Sequence, residues 1–156
     1  MPEENDPNII IDSSSIIALY KLDLIDVLKD LYSSINAPEA VLVELGHDLP
    51  HWINILPVND DETVGYLRKK LGSGESEVIT LGVEKQNYVL VLDDLRARHA
   101  AKKLGLKITG LLGILLKAKK RKKIVRIKPL VEVLNKENFR ISQKLIREIL
   151  IIAGEI

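Results

Sequence analysis

Two short apolar runs, each ending in carboxylates, constrain this chain more than any other feature. Residues 8–12 read NIIID, and residues 88–92 read YVLVL with Asp93 and Asp94 directly behind them. Short apolar runs bounded by polar residues read as strands buried on both faces, the pattern of a parallel sheet. Between and after them the apolar spacing turns helical. Residues 13–20 carry a helical stripe, and so do residues 23–32, where Leu24, Val27, Leu28 and Leu31 share a face. Pro38 opens a further helix at its first position, with Ala40, Val41 and Leu45 on one side and Gly46 as its stop.

The same reading places short strands at residues 34–37 and 106–109, and a loop plus a strand within residues 47–59. Helices are expected to begin at Asp60-Asp61-Glu62 and after the break Gly72-Ser73-Gly74. Others cover residues 95–104, ended by Gly105, and residues 110–120, with closing helices at 129–137 and 142–153. Strands alternating with helices make an α/β fold with a mostly parallel sheet. At 156 residues without repeat or linker, the chain is expected to be one domain, 1–156.

The absence of Cys removes disulfide scaffolds, thiol nucleophiles and Cys-rich zinc sites together. No run approaches the ~20 apolar residues of a membrane span, since 108–116 is closed off by Lys107 and Lys117. MPEENDPN lacks the basic-then-apolar plan of a secretion signal. A cytoplasmic protein with no membrane partner is expected.

The net charge of +1 conceals a strong asymmetry. Residues 1–94 hold 18 acidic and 6 basic side chains, whereas residues 96–128 hold 13 Lys or Arg and no acid. That separation suggests an acidic site beside a basic surface, as where a polyanion meets cations. For KAKKRKK at 117–123 alone, a solvated helix end is the simpler reading.

Ligands of open parallel sheets gather beyond the carboxyl ends of the strands, and there both strong strands present acid. Like charges crowded at one edge repel unless something positive neutralises them. Hard oxygen donors with no Cys favour Mg²⁺ or Mn²⁺ over zinc. Two further acids stand out: Glu44 among Val41, Leu42, Val43 and Leu45, and Glu75 behind Gly-Ser-Gly. Each alone is explained by solvent exposure or capping; the coincidence of four is harder to explain that way.

The segments IIIDSSSIIALYKL, PEAVLVELG, GSGESEVITLG and VLVLDDLRARHAAKKLGLKITGLLGILLKAKKRKKI, in that order, resemble PIN-domain ribonucleases. The nearest branch has Gly-Glu before its central helix and Asp-Asp before a basic one, and is related to VapC-like toxins of toxin–antitoxin pairs. The resemblance covers residues 8–130 and implies a three-layer α/β/α fold with a central parallel sheet of four to five strands, to which the closing helices at 129–153 are added. It implies that Asp12, Glu44, Glu75 and Asp93 are the catalytic acids and hold Mg²⁺ or Mn²⁺. Asp94 stays open as the alternative to Asp93, which is favoured because it directly ends the strand. Ser13 and Ser14 take the hydroxyl positions beside the first acid, and Glu77 reads as solvent-exposed on another helix face.

The activity so implied is metal-assisted hydrolysis of RNA, with Arg96, Arg98, Lys102 and Lys103, or Lys117, Lys119 and Lys120, holding the backbone. RNA, an antitoxin protein and a second copy in a homodimer are the expected partners. The alternative is a non-catalytic PIN-fold protein that binds RNA or an antitoxin, with Leu145, Ile149 and Ile152 as a groove; ordinary core packing is the simpler reading of those three. A phosphoaspartyl hydrolase would want a second Asp at the place of Ser14, and no phosphate loop is present. His47 and His51 flank Pro50 and read as loop residues; His99 reads as packing or phosphate contact in the basic helix.

Overall fold

The computed structural model of the protein describes residues 1–156. Strands β1 (Asn8–Ile11), β2 (Ser34–Pro38), β3 (Ile53–Leu56), β4 (Val89–Val91) and β5 (Lys107–Thr109) form one parallel sheet in the order β3-β2-β1-β4-β5. Helices flank it: α1 (Ser13–Lys21), α2 (Leu28–Leu31), α3 (Glu39–Leu45), α4 (Asp61–Leu67), α5 (Ser73–Lys85), α6 (Leu95–Lys103) and α7 (Leu111–Lys120). Helices α8 (Lys128–Lys136) and α9 (Gln143–Ile152) close the chain. This is the expected α/β architecture with five parallel strands.

The β-branched runs explain the centre of the sheet. Ile9, Ile10 and Ile11 of β1 are completely buried, as are Leu90 and Val91 of β4, because helices cover both faces. A polar ladder fixes the register on the other side of β1. The buried Asn36 amide donates to the Ile9 carbonyl at 2.9 Å, and Asn54 donates to Asn36 Oδ1 at 3.1 Å.

Three elements differ from expectation, the first being α5, which already begins at Ser73 within the expected break, with Gly72 as its N-cap. The helix read over 23–32 is a three-residue 3₁₀ turn, Ile25–Val27, followed by the single turn α2. Asp23 adopts a left-handed φ of 56°, and the Leu24 amide turns back to donate to the Leu19 carbonyl, so α1 is terminated before a new helix can propagate. Pro38 is the last residue of β2 and the N-cap of α3, one position earlier than expected.

The chain runs β1 to β2 to β3 in one direction, then crosses over α4 and α5 to β4 and β5 on the other side of β1. The strand order therefore reverses between β1 and β4, paired as Ile9–Val89, Ile10–Leu90 and Ile11–Val91. That pair's carboxyl end is the topological switch point, the crevice where such sheets bind ligands.

The same topology separates the charges. Helix α7 leaves the carboxyl edge at Gly110 and runs antiparallel to the strands, so its ten residues carry Lys117, Lys119 and Lys120 about 15 Å away, to the opposite edge. The lysine-rich run is thus not beside the acidic strand ends. Much of it is structural there. Lys117 lies 3.0 Å from Asp6 and stacks on Tyr32, Arg121 binds Asp6 through two nitrogens, and Lys119 lies 2.9 Å from Glu155. Lys120 is exposed at this edge, and Lys102 and Lys103 occupy the last turn of α6, also away from the acids.

The closing helices are anchored by Glu155. Its carboxylate accepts the Ile127 amide at 2.7 Å and the Lys128 amide at 2.9 Å, capping α8, whose own N-cap Ile127 offers no side-chain bond. Ile149 is core, whereas Leu145 and Ile152 are 43% and 69% exposed. No helix is long and apolar enough to cross a membrane.

Burial pushes the Glu155 carboxyl up, but the Ile127 amide, the Lys119 ammonium and the Lys128 amide outweigh it and hold the group at about 2, below its ordinary 4.5. A group depressed in the fold stabilises fully above its unfolded value and less as pH falls through its folded one. Glu155→Gln is therefore expected to cost about 2 kcal/mol at neutral pH, about 4–8 °C in Tm for a chain of this size. Thermal melts from pH 7 to pH 2 should show the gap to wild type closing between about pH 4.5 and 2. A gap independent of pH would mean the charge is not what holds the helices.

Candidate active site at the carboxyl edge of the sheet

Asp12 ends β1 and N-caps α1. It is 3% exposed, and its Oδ1 accepts the Ser15 amide at 3.0 Å. Its Oδ2 accepts the Asp93 amide at 3.1 Å and the Ser14 hydroxyl at 3.4 Å. One carboxylate thereby ties the end of β1 to the end of β4. Asp93 completes the link in return: its Oδ2 accepts the Ser15 hydroxyl at 2.6 Å and its Oδ1 accepts the Leu111 amide at 3.0 Å.

The two adjacent aspartates have different surroundings. Asp94 accepts the Ala97 amide at 2.9 Å and caps α6. Asp93 is the one that adjoins Asp12. Ser15 was not among the expected site residues, although its buried hydroxyl is the one side chain that donates to the Asp93 carboxylate. The signal available was the third serine of DSSS, placed where a helix starting at Ser13 turns inward.

Glu44 is exposed rather than buried, because only Val41 of α3 is fully covered. The Ser13 hydroxyl donates to its Oε1 at 3.2 Å, which brings it to the start of α1. Its carboxylate lies over Gly74, so close that a Cβ on Gly74 would collide with Glu44 Oε1. Glu75, in the first turn of α5, folds back over Gly72, its Oε2 2.5 Å from where a Cβ would stand. No hydrogen bond joins Glu75 to the other three acids. The edge therefore holds a bonded pair, Asp12 and Asp93, a third acid tethered through Ser13, and a fourth on the adjoining helix start.

Glu77 departs from expectation. It is not solvent-exposed; its side chain is 18% accessible, its Oε1 accepts the Ala40 amide at 3.2 Å, and its Oε2 lies 3.9 Å from Arg68. Among the basic residues, Arg98 reaches the acidic edge, donating from Nη1 to the Leu92 carbonyl at 2.8 Å. Gly110 makes room for it: a Cβ there would stand 2.8 Å from Arg98 Nη1 and 3.1 Å from Asp93 Oδ1. Arg96, exposed in the first turn of α6, lies at the same edge. His47 and His99 are exposed, and His47 lies edge-on to Tyr20.

Burial, and then the charge of Asp93, push the Asp12 carboxyl up to about 6, against hydrogen bonds that favour the anion. Native Asp12 therefore holds its proton to higher pH than the unfolded chain, and this group favours folding less as pH rises from about 4 to 6. A cation beside the pair would remove that penalty. The donors are all oxygens, which suits Mg²⁺ or Mn²⁺. No three carboxylates or imidazoles stand close enough to share one ion, but Mg²⁺ commonly takes one or two carboxylates and keeps its waters. The Asp12–Asp93 pair fits that mode.

Gly74→Ala tests the seat of Glu44. The colliding atom is the end of a flexible side chain, and Ala gains up to about 1 kcal/mol over Gly in a helix. The variant should melt within about 3 °C of wild type, while a crystal structure shows Glu44 displaced from Ser13. Glu44 unmoved with a large loss of Tm would contradict this geometry.

The model of a family described as a PIN domain matches residues 8–155. Comparison with the curated proteins gives no match.

Proposed function

The chain belongs to the PIN-domain family, and from that premise we propose that it is a Mg²⁺- or Mn²⁺-dependent endoribonuclease of the VapC-like branch. PIN domains are generally nucleases. The observation that carries the proposal is the buried Asp12, bonded to the Asp93 amide at the switch point with Asp93's own carboxylate beside it.

Asp12 and Asp93 would hold the cation, and Glu44, from the last turn of α3, and Glu75, from the first turn of α5, would bind its waters. A divalent cation so bound supplies charge against the scissile phosphate and acidifies a water at neutral pH. Ser15 holds Asp93 in one rotamer and Ser13 restrains Glu44, so the acids are arranged before substrate arrives. Arg98, fixed on the Leu92 carbonyl, retains further N–H donors for the RNA backbone, and Arg96 adds charge at the same edge. The amino-terminal ends of α1, α6 and α7 also converge here, as their amides on Asp12, Asp94 and Asp93 attest; their dipoles favour a phosphate.

Structured RNA is the proposed substrate class, since aromatics are only 4% of the chain and base stacking contributes little. The toxin role, with an antitoxin protein and a second copy of the chain as partners, is proposed from the resemblance to the VapC-like branch. Cytoplasmic location belongs to the same reading. A second reading, a PIN-fold binding protein without turnover, draws on one observation: no three acids converge on a single ion position.

Incubation of pure protein with structured RNAs in EDTA, Mg²⁺ or Mn²⁺, beside Asp12→Asn, separates the two. Cleavage that requires metal and falls at least about 100-fold in the variant is expected, the size of loss typical when one electrostatic group is removed from an active site. RNA binding by both proteins with no cleavage under any condition would favour the binding protein.

A further inference from the structure

We propose that Glu77 is a positioning residue for Glu44, acting through the helix that carries it; this rests on the reading of Glu44 as a working acid of the edge. Helix α3 begins at Pro38, which gives no side-chain cap, so its first amides need acceptors from elsewhere. Glu77 supplies one from α5, accepting the Ala40 amide at 3.2 Å. Four residues further along α3, Glu44 rests on Gly74, three residues earlier on α5. Residues 40 and 44 lie on one face of α3, and residues 74 and 77 on one face of α5. The two helices therefore dock antiparallel at two points, Ala40 to Glu77 and Glu44 to Gly74.

The second point offers no attraction of its own: a bare glycine backbone admits the Glu44 carboxylate but does not bind it. The Ser13 hydroxyl is its single side-chain donor. The bond at Ala40 is what keeps α3 at the distance and rotation where Glu44 overlies Gly74. Glu77 is committed to that task, with one oxygen on the amide, the other facing Arg68 and little of the side chain accessible. It acts through Glu44 and is not itself a ligand of the edge.

The test compares wild type with Glu77→Ala, Glu77→Gln, Glu44→Gln and the Glu77→Ala/Glu44→Gln double variant. Mn²⁺ alone is titrated by electron paramagnetic resonance, and Tm is recorded for each. Glu77→Ala should weaken Mn²⁺ about 10-fold, the usual cost of losing a partner that orients a ligand. Glu77→Gln keeps an acceptor for the Ala40 amide and should stay within about twofold of wild type on the same reasoning. In the Glu44→Gln background the Ala substitution should add nothing. Glu155→Gln, destabilised at the far edge, is the control that lowers Tm and leaves Mn²⁺ affinity alone. A Glu77→Ala variant that loses Tm but not affinity, a Gln variant as poor as Ala, or additive losses in the double variant would each overturn the proposal. If wild type binds no Mn²⁺, the metal reading fails separately. The positioning claim is then judged by the carbon-13 resonance of the Glu44 carboxyl, which Glu77→Ala must shift and Glu77→Gln must not.

Discussion

The arrangement of the sheet's carboxyl edge depends on one buried carboxylate bonded across the switch point. Asp12 accepts the backbone amide of Asp93, 81 residues away in sequence, and thereby fastens the end of β1 to the end of β4. The bond crowds two acids together, and burial with the neighbouring charge raises Asp12 to about 6. The fold accepts this cost by supplying donors: the Ser15 amide and hydroxyl, the Asp93 amide and the first amide of α7. With the Ser14 hydroxyl, five donors keep the two carboxylates side by side, the kind of arrangement in which local charge crowding is offset by the surrounding fold.

A second theme recurs at both edges. Helices α3 and α8 begin at Pro38 and Ile127, residues without a capping side chain, and each is capped from a distant segment by a glutamate. Glu77 does so for the helix that bears Glu44, and Glu155 for the first closing helix. The basic run finds its place in the same scheme. Lys117, Lys119 and Arg121 bind Asp6 and Glu155 at the edge opposite the acids, where they fasten the amino-terminal segment and α9 to α7. The excess of cations in 96–128 is thus partly a set of struts, and within that segment Arg96 and Arg98 are the ones in the first turn of α6, at the acidic edge.

The strands and the strand-end acids were legible because burial on both faces demands unbroken apolar runs, and NIIID and YVLVL cannot hide that. Gly46 and Gly105 marked helix ends correctly, since both take a left-handed φ of 72° and 74°. What the sequence hid is what depends on three-dimensional neighbours. Local spacing puts Glu77 on a face apart from Glu75, but nothing local says that α3 lies against that face and lacks its own cap. The lysine run follows the acids closely in sequence, yet one antiparallel helix carries it to the other end of the sheet. The helical stripe of residues 23–32 was genuine in its burial, with Leu28 and Leu31 inside, and misleading in its length, because Asp23 and Leu24 are consumed in ending α1. Ser15 was missed because a hydroxyl in a run of three looks interchangeable until the helix phase is known.

The most direct test of the central claim is anomalous scattering from crystals of the wild-type protein grown with Mn²⁺. The account predicts an anomalous peak at the carboxyl edge, within coordination distance of Asp12 or Asp93, and its disappearance in crystals of the Asp12→Asn variant. Mn²⁺ bound only at other surfaces, or an edge that stays free of metal while Asp12 and Asp93 keep their present bonds, would contradict it.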